Sequence, residues 1–495
     1  MMLLAGLDIG TTGCKLSVFS TDGTLIGSVY RDYPVQRSRS AHEVDAAAIW
    51  TAVQELIAES EKRYPGIAGI GVTSFGETFV LLDEQDKPLI PAMLYTDPRG
   101  EQQARRLTEL VGRETLIATT GLNPHSMYSL PKLMWVKENL PEVYAKTKRI
   151  CLMEDYIIYL LTGKAQMDYS LATRTMAFDI RNLCWSEEVC AAAGIDTKLF
   201  SALVPTGTSA GTIKKELTEQ LGLWEGTIAV SVSHDQVAAA IGSGVFDESR
   251  TVDGAGTVQC TTPVFSRYNA DKTAQYQYAI VPFIKPGSFV TYAFSYTGGA
   301  LVKWFVDNLA QDAVSKAKEQ GCSVYDLLEG GADAEPTGIL VLPHFAGAAT
   351  PAMDAGSKGA IVGLTLSHTQ QDLYRAVMEG VCYEMRLNQE LLAGCGVTVA
   401  PLHATGGGAK SRVWMQMKAD VLNVPVTALT TSEAGATGSA MLVGVALGLY
   451  PSLEAAADKM VKVREVFQPR PEVHARYEAV YQRYKNLYNA VRPLV

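Results

Sequence analysis

Apolar and polar residues follow one another along this chain in blocks whose periods fit strands and helices. The apolar run at 3–10 ends in an acid and a glycine and predicts a buried first strand. Two further runs, at 15–20 and 24–30, flank Asp22-Gly23, a pair typical of a tight hairpin. A helical pattern capped by Asp45 comes next. This alternation of strand and helix patterns predicts an α/β fold.

The same periodicities continue to the end of the chain. The predicted strands lie at 67–73, 79–83, 227–232, 251–257 and 338–342, and the predicted helices at 99–111, 132–138, 155–161, 299–309, 371–392 and 472–491.

A short pattern from the first strand recurs near the middle of the chain. Asp8, Gly10, Thr11 and residues 18–20 are matched by Asp253, Gly256, Thr257 and residues 264–266. The match is short, so it leaves both an internal duplication and a chance similarity open. A duplication predicts two similar domains with a cleft between them and a boundary near residues 247–250.

Composition narrows the classes of function. With 495 residues, 47% of them hydrophobic and 19% charged, the chain fits two or three folded domains with large cores and not a disordered protein. It has 43 basic and 52 acidic residues, a formal net charge of −9, and no basic run. Nucleic acid is therefore not expected as its main partner.

Neither a leader nor a membrane span is expected. The apolar residues 1–6 have no basic residues before them and lead to Asp8, which favours a strand over a signal peptide. The longest uncharged stretch, between Glu433 and Glu454, is rich in small residues and predicts a close-packed internal helix. The eight cysteines form no CxxC pair, which favours reduced thiols in a cytoplasmic protein.

Three glycine-rich turns follow strand patterns, at 10–13, 254–257 and 406–408. Glycine lets the backbone approach a ligand closely, and consecutive N–H groups with threonine hydroxyls form an anion cradle. Each turn alone also fits a simple tight turn, whereas three in one chain favour phosphate binding. Ala409 before Lys410 breaks the P-loop pattern, and the third glycine of a dinucleotide fingerprint is missing.

Two acids have positions that suit chemistry on a phosphate. Asp235 lies at the junction of an apolar strand and an alanine-rich helix. It is either a helix N-cap, worth about 1 kcal/mol, or a general base that accepts a hydroxyl proton during phosphoryl transfer. Asp8, close to Thr11 and Thr12, is either a satisfied core acid or a group that organises hydrated Mg²⁺.

Taken together, these motifs resemble the FGGY carbohydrate kinases, the family of xylulokinase, gluconokinase and glycerol kinase. The resemblance includes residues 7–12, Asp235 and residues 405–411. It also includes both signature patterns of that family, at 127–136 and 359–379. It covers nearly the whole chain, in the right order.

The resemblance implies two ribonuclease-H-like domains of the actin, chaperone and sugar-kinase superfamily around a central cleft. Residues 1–248 would be the sugar-binding N-terminal domain and residues 249–495 the ATP-binding C-terminal domain. Asp235 would be the catalytic base and Asp8 the acid that organises Mg²⁺. The residues that the resemblance assigns to ATP are Thr11, Thr12, Gly13, Lys15, Gly256, Thr257, Gly299, Lys303, Gly407 and Ser411.

The loop at 74–78 corresponds to the family's sugar-contacting loop. Glycerol kinases have an Arg-Glu pair where this chain has Gly76-Glu77, and xylulokinases and gluconokinases have a histidine in place of Glu77. These differences speak against glycerol and ordinary xylulose as substrates, and for Glu77 a solvated loop carboxylate is the alternative. The residues predicted to contact the substrate are Glu77, Asp97, His125, Asp235 and Gln236.

The predicted function is therefore ATP- and Mg²⁺-dependent phosphorylation of a hydroxyl of a small sugar, polyol or sugar acid, as in xylulokinases or gluconokinases. The alternative is a non-catalytic regulatory protein of the same fold that responds to sugar or nucleotide. A chaperone or filament protein of the superfamily would leave the sugar-kinase signatures unexplained. The expected partners are the sugar and ATP, with no nucleic acid and no membrane, and a homodimer is expected from the relatives.

Overall fold

The computed structural model describes residues 2–330 and 335–495. Contacts between Cα atoms divide the chain into two compact units. The first contains Met1–Phe246, Ala279–Val290 and Glu433–Val461, and the second contains Asp247–Tyr278, Thr291–Ser432 and Lys462–Val495. The main change of unit lies close to the predicted boundary after residue 248. Two later segments of the first unit, Ala279–Val290 and Glu433–Val461, lie after that boundary. The assignment of sugar binding to residues 1–248 and of ATP binding to residues 249–495 remains a prediction.

The strands of the described residues are β1 Leu3–Ile9, β2 Gly13–Ser20, β3 Leu25–Asp32, β4 Val35–Arg37, β5 His42–Val44, β6 Ile67–Ser74, β7 Phe79–Leu82, β8 Ala92–Met93, β9 Arg149–Leu152, β10 Gln166–Asp168, β11 Phe178–Asp179, β12 Cys184–Trp185, β13 Ala202–Val204, β14 Thr208–Thr212, β15 Ile228–His234, β16 Thr251–Ala255, β17 Gln259–Phe265, β18 Val281–Pro282, β19 Phe289–Val290, β20 Ala293–Ser295, β21 Leu340–Leu342, β22 Ala360–Val362, β23 Leu402–Thr405, β24 Val426–Leu429 and β25 Val463–Phe467.

The α-helices are α1 Ala46–Arg63, α2 Glu101–Val111, α3 Arg113–Thr120, α4 Ser129–Asn139, α5 Pro141–Lys146, α6 Met153–Thr162, α7 Tyr169–Thr173, α8 Glu187–Ala193, α9 Lys215–Leu221, α10 Asp235–Gly242, α11 Ala270–Gln275, α12 Gly299–Leu309, α13 Gln311–Gln320, α14 Val324–Glu329, α15 Gln370–Gly394, α16 Arg412–Leu422, α17 Ala434–Ala446, α18 Leu453–Met460, α19 Pro471–Tyr484 and α20 Leu487–Val491. The predicted helix at 472–491 is thus two helices, whereas the helix predicted at 299–309 is confirmed.

The main sheet of the first unit has the strand order β14-β15-β6-β1-β2-β3. Strands β1, β6 and β15 are parallel, and β14, β2 and β3 are each antiparallel to a neighbour. All residues of β6 are buried, as are most residues of β1. These near-continuous apolar runs are typical of strands that are covered on both faces.

The main sheet of the second unit repeats this topology. This sheet has eight strands, and six of them follow the order β20-β17-β16-β23-β24-β25. Strands β16, β23 and β24 are parallel, and β20, β17 and β25 are antiparallel to their neighbours. The order and directions match those of β3-β2-β1-β6-β15-β14. The shared topology supports an internal duplication and not a chance similarity.

Helices α10 and α17 of the first unit pack closely through glycine. A Cβ on Gly242 would lie 1.9 Å from the backbone oxygen of Ala434, and one on Gly438 would lie 2.1 Å from that of Ala238. This confirms the internal helix predicted between Glu433 and Glu454. No helix within the described ranges has both the length and the apolar character to cross a membrane.

Candidate active site

Asp235 lies where strand β15 passes into helix α10. His234 is the last residue of the strand and the N-cap of the helix, so Asp235 is the first helical residue. The side chain of His234 makes no capping hydrogen bond at this helix start. The interpretation of Asp235 as an N-cap is therefore wrong.

The surroundings of Asp235 raise its pKa. Its Oδ1 is inaccessible and accepts no hydrogen bond from the residues that the structure describes. This oxygen lies 3.3 Å from Nε2 of His234, while the Asp235 side chain as a whole is 35% exposed. Burial raises the pKa of Asp235 to about 6, against the opposite effects of the Gln236 amide groups and the Arg174 guanidinium.

The neighbouring imidazole is uncharged. Burial, assisted by the charge of Arg174, lowers the pKa of His234 to about 3. At neutral pH this site therefore presents an ionised Asp235 of raised basicity beside a neutral histidine. A carboxylate of that kind has the property that a general base needs.

Asp8 lies near the end of β1, opposite Lys15 of β2. Burial and the charges of Asp235 and Glu433 raise the pKa of Asp8 to about 7, and Lys15 opposes the shift. The Nζ of Lys15 donates to both carboxylate oxygens of Glu433 at 3.0 Å. A Cβ on Gly435, in the first turn of α17, would lie 3.6 Å from Oδ2 of Asp8. The structure thus gathers three acidic groups and a lysine from separate parts of the first unit.

The turn between β1 and β2 is tight. The N–H of Gly10 donates to the backbone oxygen of Gly13 at 2.9 Å. A Cβ on Gly13 would lie 2.7 Å from the backbone oxygen of Arg31, so only glycine fits there. Between the two glycines, Thr11 is half-buried and Thr12 is exposed. The turn therefore presents a threonine to solvent beside the Asp8 and Lys15 region.

Glu77 is held by an arginine that no sequence motif singles out. Nε of Arg174 donates to Oε1 of Glu77 at 2.7 Å, and Nη2 of Arg174 donates to the same oxygen. The Arg174 guanidinium lies 5.2 Å from the ring centroid of Tyr128. A Cβ on Gly76 would lie 2.7 Å from Cγ of Arg174 and 3.3 Å from Cδ2 of His234. Because Glu77 is 4% exposed, the interpretation as a solvated loop carboxylate is wrong.

Asp97 orders the loop in which it lies. Its Oδ1 accepts from the backbone N–H and Nε of Arg99, and its Oδ2 accepts from the backbone N–H of His42 and Nη2 of Arg99. Burial raises the pKa of Asp97, but the hydrogen bonds from Arg99 and His42 outweigh it and leave the pKa below its ordinary value. A direct contact of Asp97 with substrate remains a prediction.

His125 lies on a loop whose backbone oxygens accept hydrogen bonds from Lys132. Lys132 is fully buried, and its Nζ donates to backbone oxygens of this loop, including that of Met127 at 3.0 Å. Burial lowers the pKa of Lys132 to about 8, although the charges of Glu77 and Asp97 oppose the shift. His125 itself is exposed, and its Nδ1 accepts from the Met127 N–H at 2.9 Å.

In the second unit, the turn at Gly256 and Thr257 is hydrogen-bonded to the start of helix α12. The N–H of Gly299 donates to the Gly256 oxygen at 2.9 Å, and the N–H groups of Gly298 and Ala300 donate to the Thr257 oxygen at 3.0 Å. A Cβ on Gly299 would lie 2.7 Å from the Gly256 oxygen. Three of the predicted nucleotide residues, Gly256, Thr257 and Gly299, are thus brought together.

The segment at 407–411 forms a short 3₁₀ turn followed by α16. A Cβ on Gly407 would meet nothing within 4 Å, so its backbone faces open space. Ser411 is the N-cap of α16, and its Oγ accepts from the Trp414 N–H at 3.0 Å. Lys303, by contrast, is 68% exposed and pairs with Asp307 of its own helix. The structure therefore does not join Lys303 to the turn at Gly256.

The amino-acid sequence matches two family models in succession. Residues 3–242 match the N-terminal domain of the FGGY family of carbohydrate kinases, and residues 256–447 match the C-terminal domain of that family. The chain belongs to the FGGY family of carbohydrate kinases. Its two domains have the fold of the actin and sugar-kinase superfamily.

Several relatives match this FGGY kinase over nearly its whole length. It is 28% identical to the xylulose kinase of Bacillus subtilis (strain 168), covering 100% of this chain and 98% of the relative. It is 28% identical to the gluconokinase of Bacillus licheniformis, covering 99% and 96%. Its fold matches the crystal structure of ligand-bound xylulose kinase from Lactobacillus acidophilus with a TM-score of 0.88, 24% identity and 99% coverage of both chains. The predicted family and the predicted class of carbohydrate kinase are confirmed.

Two side chains of this FGGY kinase join the site without a signal in the motifs. Arg174 lies in a polar stretch with no recognisable pattern. Glu433 directly precedes helix α17, which follows β24 as α10 follows β15. Because Asp235 begins α10, the internal duplication provides a signal for Glu433, whereas Arg174 has none.

Proposed function

We propose that this FGGY kinase transfers the terminal phosphoryl group of ATP to a hydroxyl of a small sugar, polyol or sugar acid, with Asp235 as general base. The observation that carries the proposal is the Asp235 carboxylate, whose Oδ1 has no hydrogen-bond donor among the described residues and whose pKa is raised to about 6. The acceptor hydroxyl would lose its proton to Asp235 while its oxygen forms the bond to phosphorus and ADP departs.

Asp8 is proposed to help hold Mg²⁺. The charges of Asp235 and Glu433 contribute to its raised pKa, and a divalent cation would relieve this repulsion. Among the described residues, no three His, Cys, Asp or Glu side chains are grouped to hold a metal by themselves. That fits Mg²⁺ bound with a nucleotide, since this ion keeps several waters and takes phosphate oxygens with only one or two carboxylates. When bound, Mg²⁺ would neutralise charge on the transferring phosphoryl group.

The residues proposed to hold ATP have backbone and side-chain groups suited to phosphate. The open backbone at Gly407 and the exposed Thr12 and Thr257 fit the close approach of a polar ligand. Lys15 would exchange part of its contact with Glu433 for a phosphate oxygen. The full proposed set is Thr11, Thr12, Gly13 and Lys15 in the first unit, and Gly256, Thr257, Gly299, Lys303, Gly407 and Ser411 in the second.

The acceptor is proposed to be a pentulose or an aldonate, bound near Glu77 and Asp235. The relatives are named as xylulose kinases and gluconokinases, and Arg174 is close enough to Asp235 to lower its pKa. Glu77 would act by holding Arg174 in place, and Asp97 by ordering its loop, so that the arginine presents donors to hydroxyl or carboxylate oxygens. His125 and Gln236 remain proposed substrate contacts.

A substrate panel tests this assignment. We expect ADP release to depend on a pentulose or an aldonate and to be absent with glycerol, because this chain lacks the arginine of glycerol kinases at position 76. The measurement is coupled ADP release over ketopentoses, aldonates and polyols. Binding of a sugar by calorimetry without ADP release would instead indicate a regulatory protein.

Replacement of Asp235 tests the general base. We expect Asp235→Asn to lower kcat by about 10²-fold or more, because the amide is similar in shape but accepts no proton. Steady-state rates at saturating ATP and sugar measure the effect, and Asp458→Asn, at an exposed position, serves as the control. Turnover of Asp235→Asn at the wild-type rate would remove Asp235 from the proposed role.

A further inference from the structure

A buried ion pair closes the base of the turn at Gly256 and Thr257. Asp253 of β16 and Lys418 of α16 each have 0% exposed side chains. The Nζ of Lys418 donates to Oδ1 and Oδ2 of Asp253 at 2.9 and 2.7 Å. Gln259 completes the group, since its Nε2 donates to Oδ1 of Asp253 at 2.5 Å and its Oε1 accepts from Lys418 at 2.9 Å. We call Asp253, Gln259 and Lys418 the buried clamp.

The buried clamp spans the turn. In the register of the hairpin, Ala255 lies opposite Gln259 and Asp253 lies opposite Thr261. Asp253 and Gln259 are therefore diagonal neighbours on one face of the two strands. Lys418 bonds to both of them, one on each side of residues 256–258. It therefore fixes the distance between the two strand ends that the turn connects.

The same helix also carries the segment at 407–411. Helix α16 begins directly after its N-cap Ser411. One turn before Lys418, the Trp414 ring centroid lies 5.0 Å from the Lys418 Nζ. A Cβ on Gly408 would lie 2.8 Å from the Trp414 ring and 3.1 Å from the Ala255 oxygen. Through Lys418 and Trp414, helix α16 thus contacts both segments that are proposed to hold the nucleotide.

The two copies of the duplicated acid have different surroundings. Asp8 is only partly buried and faces Lys15 across its hairpin. Its counterpart Asp253 is fully buried, and the buried clamp occupies both of its oxygens. A buried ion pair adds little net stability compared with an apolar pair of similar volume. The clamp therefore calls for an explanation other than stability, and its location at the turn supplies one.

We propose that Lys418 is a positioning residue for nucleotide binding, which acts through Asp253 and Gln259 to hold the turn at Gly256 and Thr257 in its binding shape and in register with residues 407–411. This rests on the proposed function, in which that turn holds phosphate. Lys418 itself is buried beneath the turn and acts on the nucleotide only through these neighbours.

Substitution of Lys418 tests the proposal. We expect Lys418→Met to raise the KM for ATP and the Kd of Mg·ADP about tenfold or more, because small displacements of a binding group are costly, and to leave the KM for the sugar within about twofold. Since Lys418→Met strands a buried charge, the double variant Asp253→Asn with Lys418→Met provides a neutral version. We expect this variant to unfold near the wild-type temperature and still to bind Mg·ADP more weakly than the wild type.

Arg470→Met is the matched control. Arg470 pairs with Asp420, a buried acid on the same helix, at 2.8 Å, and neither residue belongs to the clamp. We expect Arg470→Met to lower the unfolding temperature without raising the KM for ATP. Calorimetry with Mg·ADP and initial rates with varied ATP and varied sugar provide the measurements.

The outcomes separate the two proposals. Wild-type Mg·ADP affinity in the folded double variant would overturn the proposed role of Lys418. The same conclusion would follow if Lys418→Met and Arg470→Met both raised the KM for ATP and the KM for sugar to the same extent. Neither result would affect the sugar-dependent turnover of the wild type, so the proposed function would stand. Absence of sugar-dependent turnover in the wild type would instead contradict the proposed function, and the Mg·ADP affinities of the variants would still decide whether Lys418 shapes a nucleotide site.

Discussion

The Asp235 and Asp8 carboxylates show how burial prepares single residues for chemistry. Burial disfavours the charged form of any group. It therefore raises the pKa of an acid and lowers the pKa of a histidine. The same surroundings therefore raise the pKa of Asp235 to about 6 and lower that of His234 to about 3. A neutral histidine cannot form an ion pair with Asp235, so the carboxylate keeps its basicity.

This shift predicts the pH dependence of turnover. A base must be deprotonated, so kcat/KM for the sugar should be constant above the pKa of Asp235 and fall about tenfold per pH unit below about pH 6. Initial rates between pH 5 and 8 at saturating Mg·ATP measure this limb. The residual activity of Asp235→Asn should lack it. An unchanged acidic limb in that variant would assign the titration to another group, with Asp8 the first candidate because its pKa is about 7.

Glu77 illustrates how a residue's role depends on its partner. The sequence resemblance predicts that Glu77 contacts the substrate, and in the structure its Oε1 is bonded to Arg174. The backbone of Glu77 has a φ of 63°, which is uncommon for a residue other than glycine. Such a conformation persists when surrounding contacts hold it, and the bond from the Ser129 hydroxyl to the Glu77 backbone oxygen at 2.7 Å is one of them.

Among the elements, the contact of α10 with α17 determines where two site acids lie. Helix α10 begins at Asp235, and α17 begins directly after Glu433. Glycine at 242 and 438 lets each backbone reach the other's carbonyl oxygen. A closer packing of these helices is possible only because those positions have no side chain.

Gly242→Ala tests this contact. The added methyl group would lie 1.9 Å from the Ala434 oxygen, so the helices must separate, and we expect a loss of about 1–3 kcal/mol in the free energy of unfolding. Denaturant unfolding measures the loss. Gly394→Ala is the control, because a Cβ there meets nothing within 4 Å and alanine should add roughly 0.5–1 kcal/mol. Equal stability of the two variants would contradict tight packing at residue 242.

In the molecule as a whole, one sheet topology occurs twice and carries different charged side chains in the two units. In the first unit the duplicated hairpin carries Asp8 and Lys15, whose charges interact with Asp235 and Glu433. In the second unit the corresponding hairpin carries a fully buried ion pair instead. The two turns are similar, and the residues beneath each turn differ in what they can bind.

Much of this organisation could be predicted from local patterns. Apolar runs located β1 and β15, the Asp22-Gly23 pair located the hairpin of β2 and β3, and glycine-threonine turns marked candidate phosphate sites. These features depend on residues close together in the chain, so a sequence records them directly. The N-cap interpretation of Asp235 failed because position alone does not show which residue ends the strand.

What the sequence by itself determined is the order of the elements, the paired turns and the family, because periodicity and motif spacing are properties of neighbouring residues. Only the tertiary structure decided the partners of the charged side chains. Glu77 bonds to a residue 97 positions away, Asp253 to one 165 positions away and Lys15 to one 418 positions away. The packing of distant segments chooses among many possible partners for each buried charge, and these choices establish which carboxylates are basic, which are neutralised and which can meet a ligand.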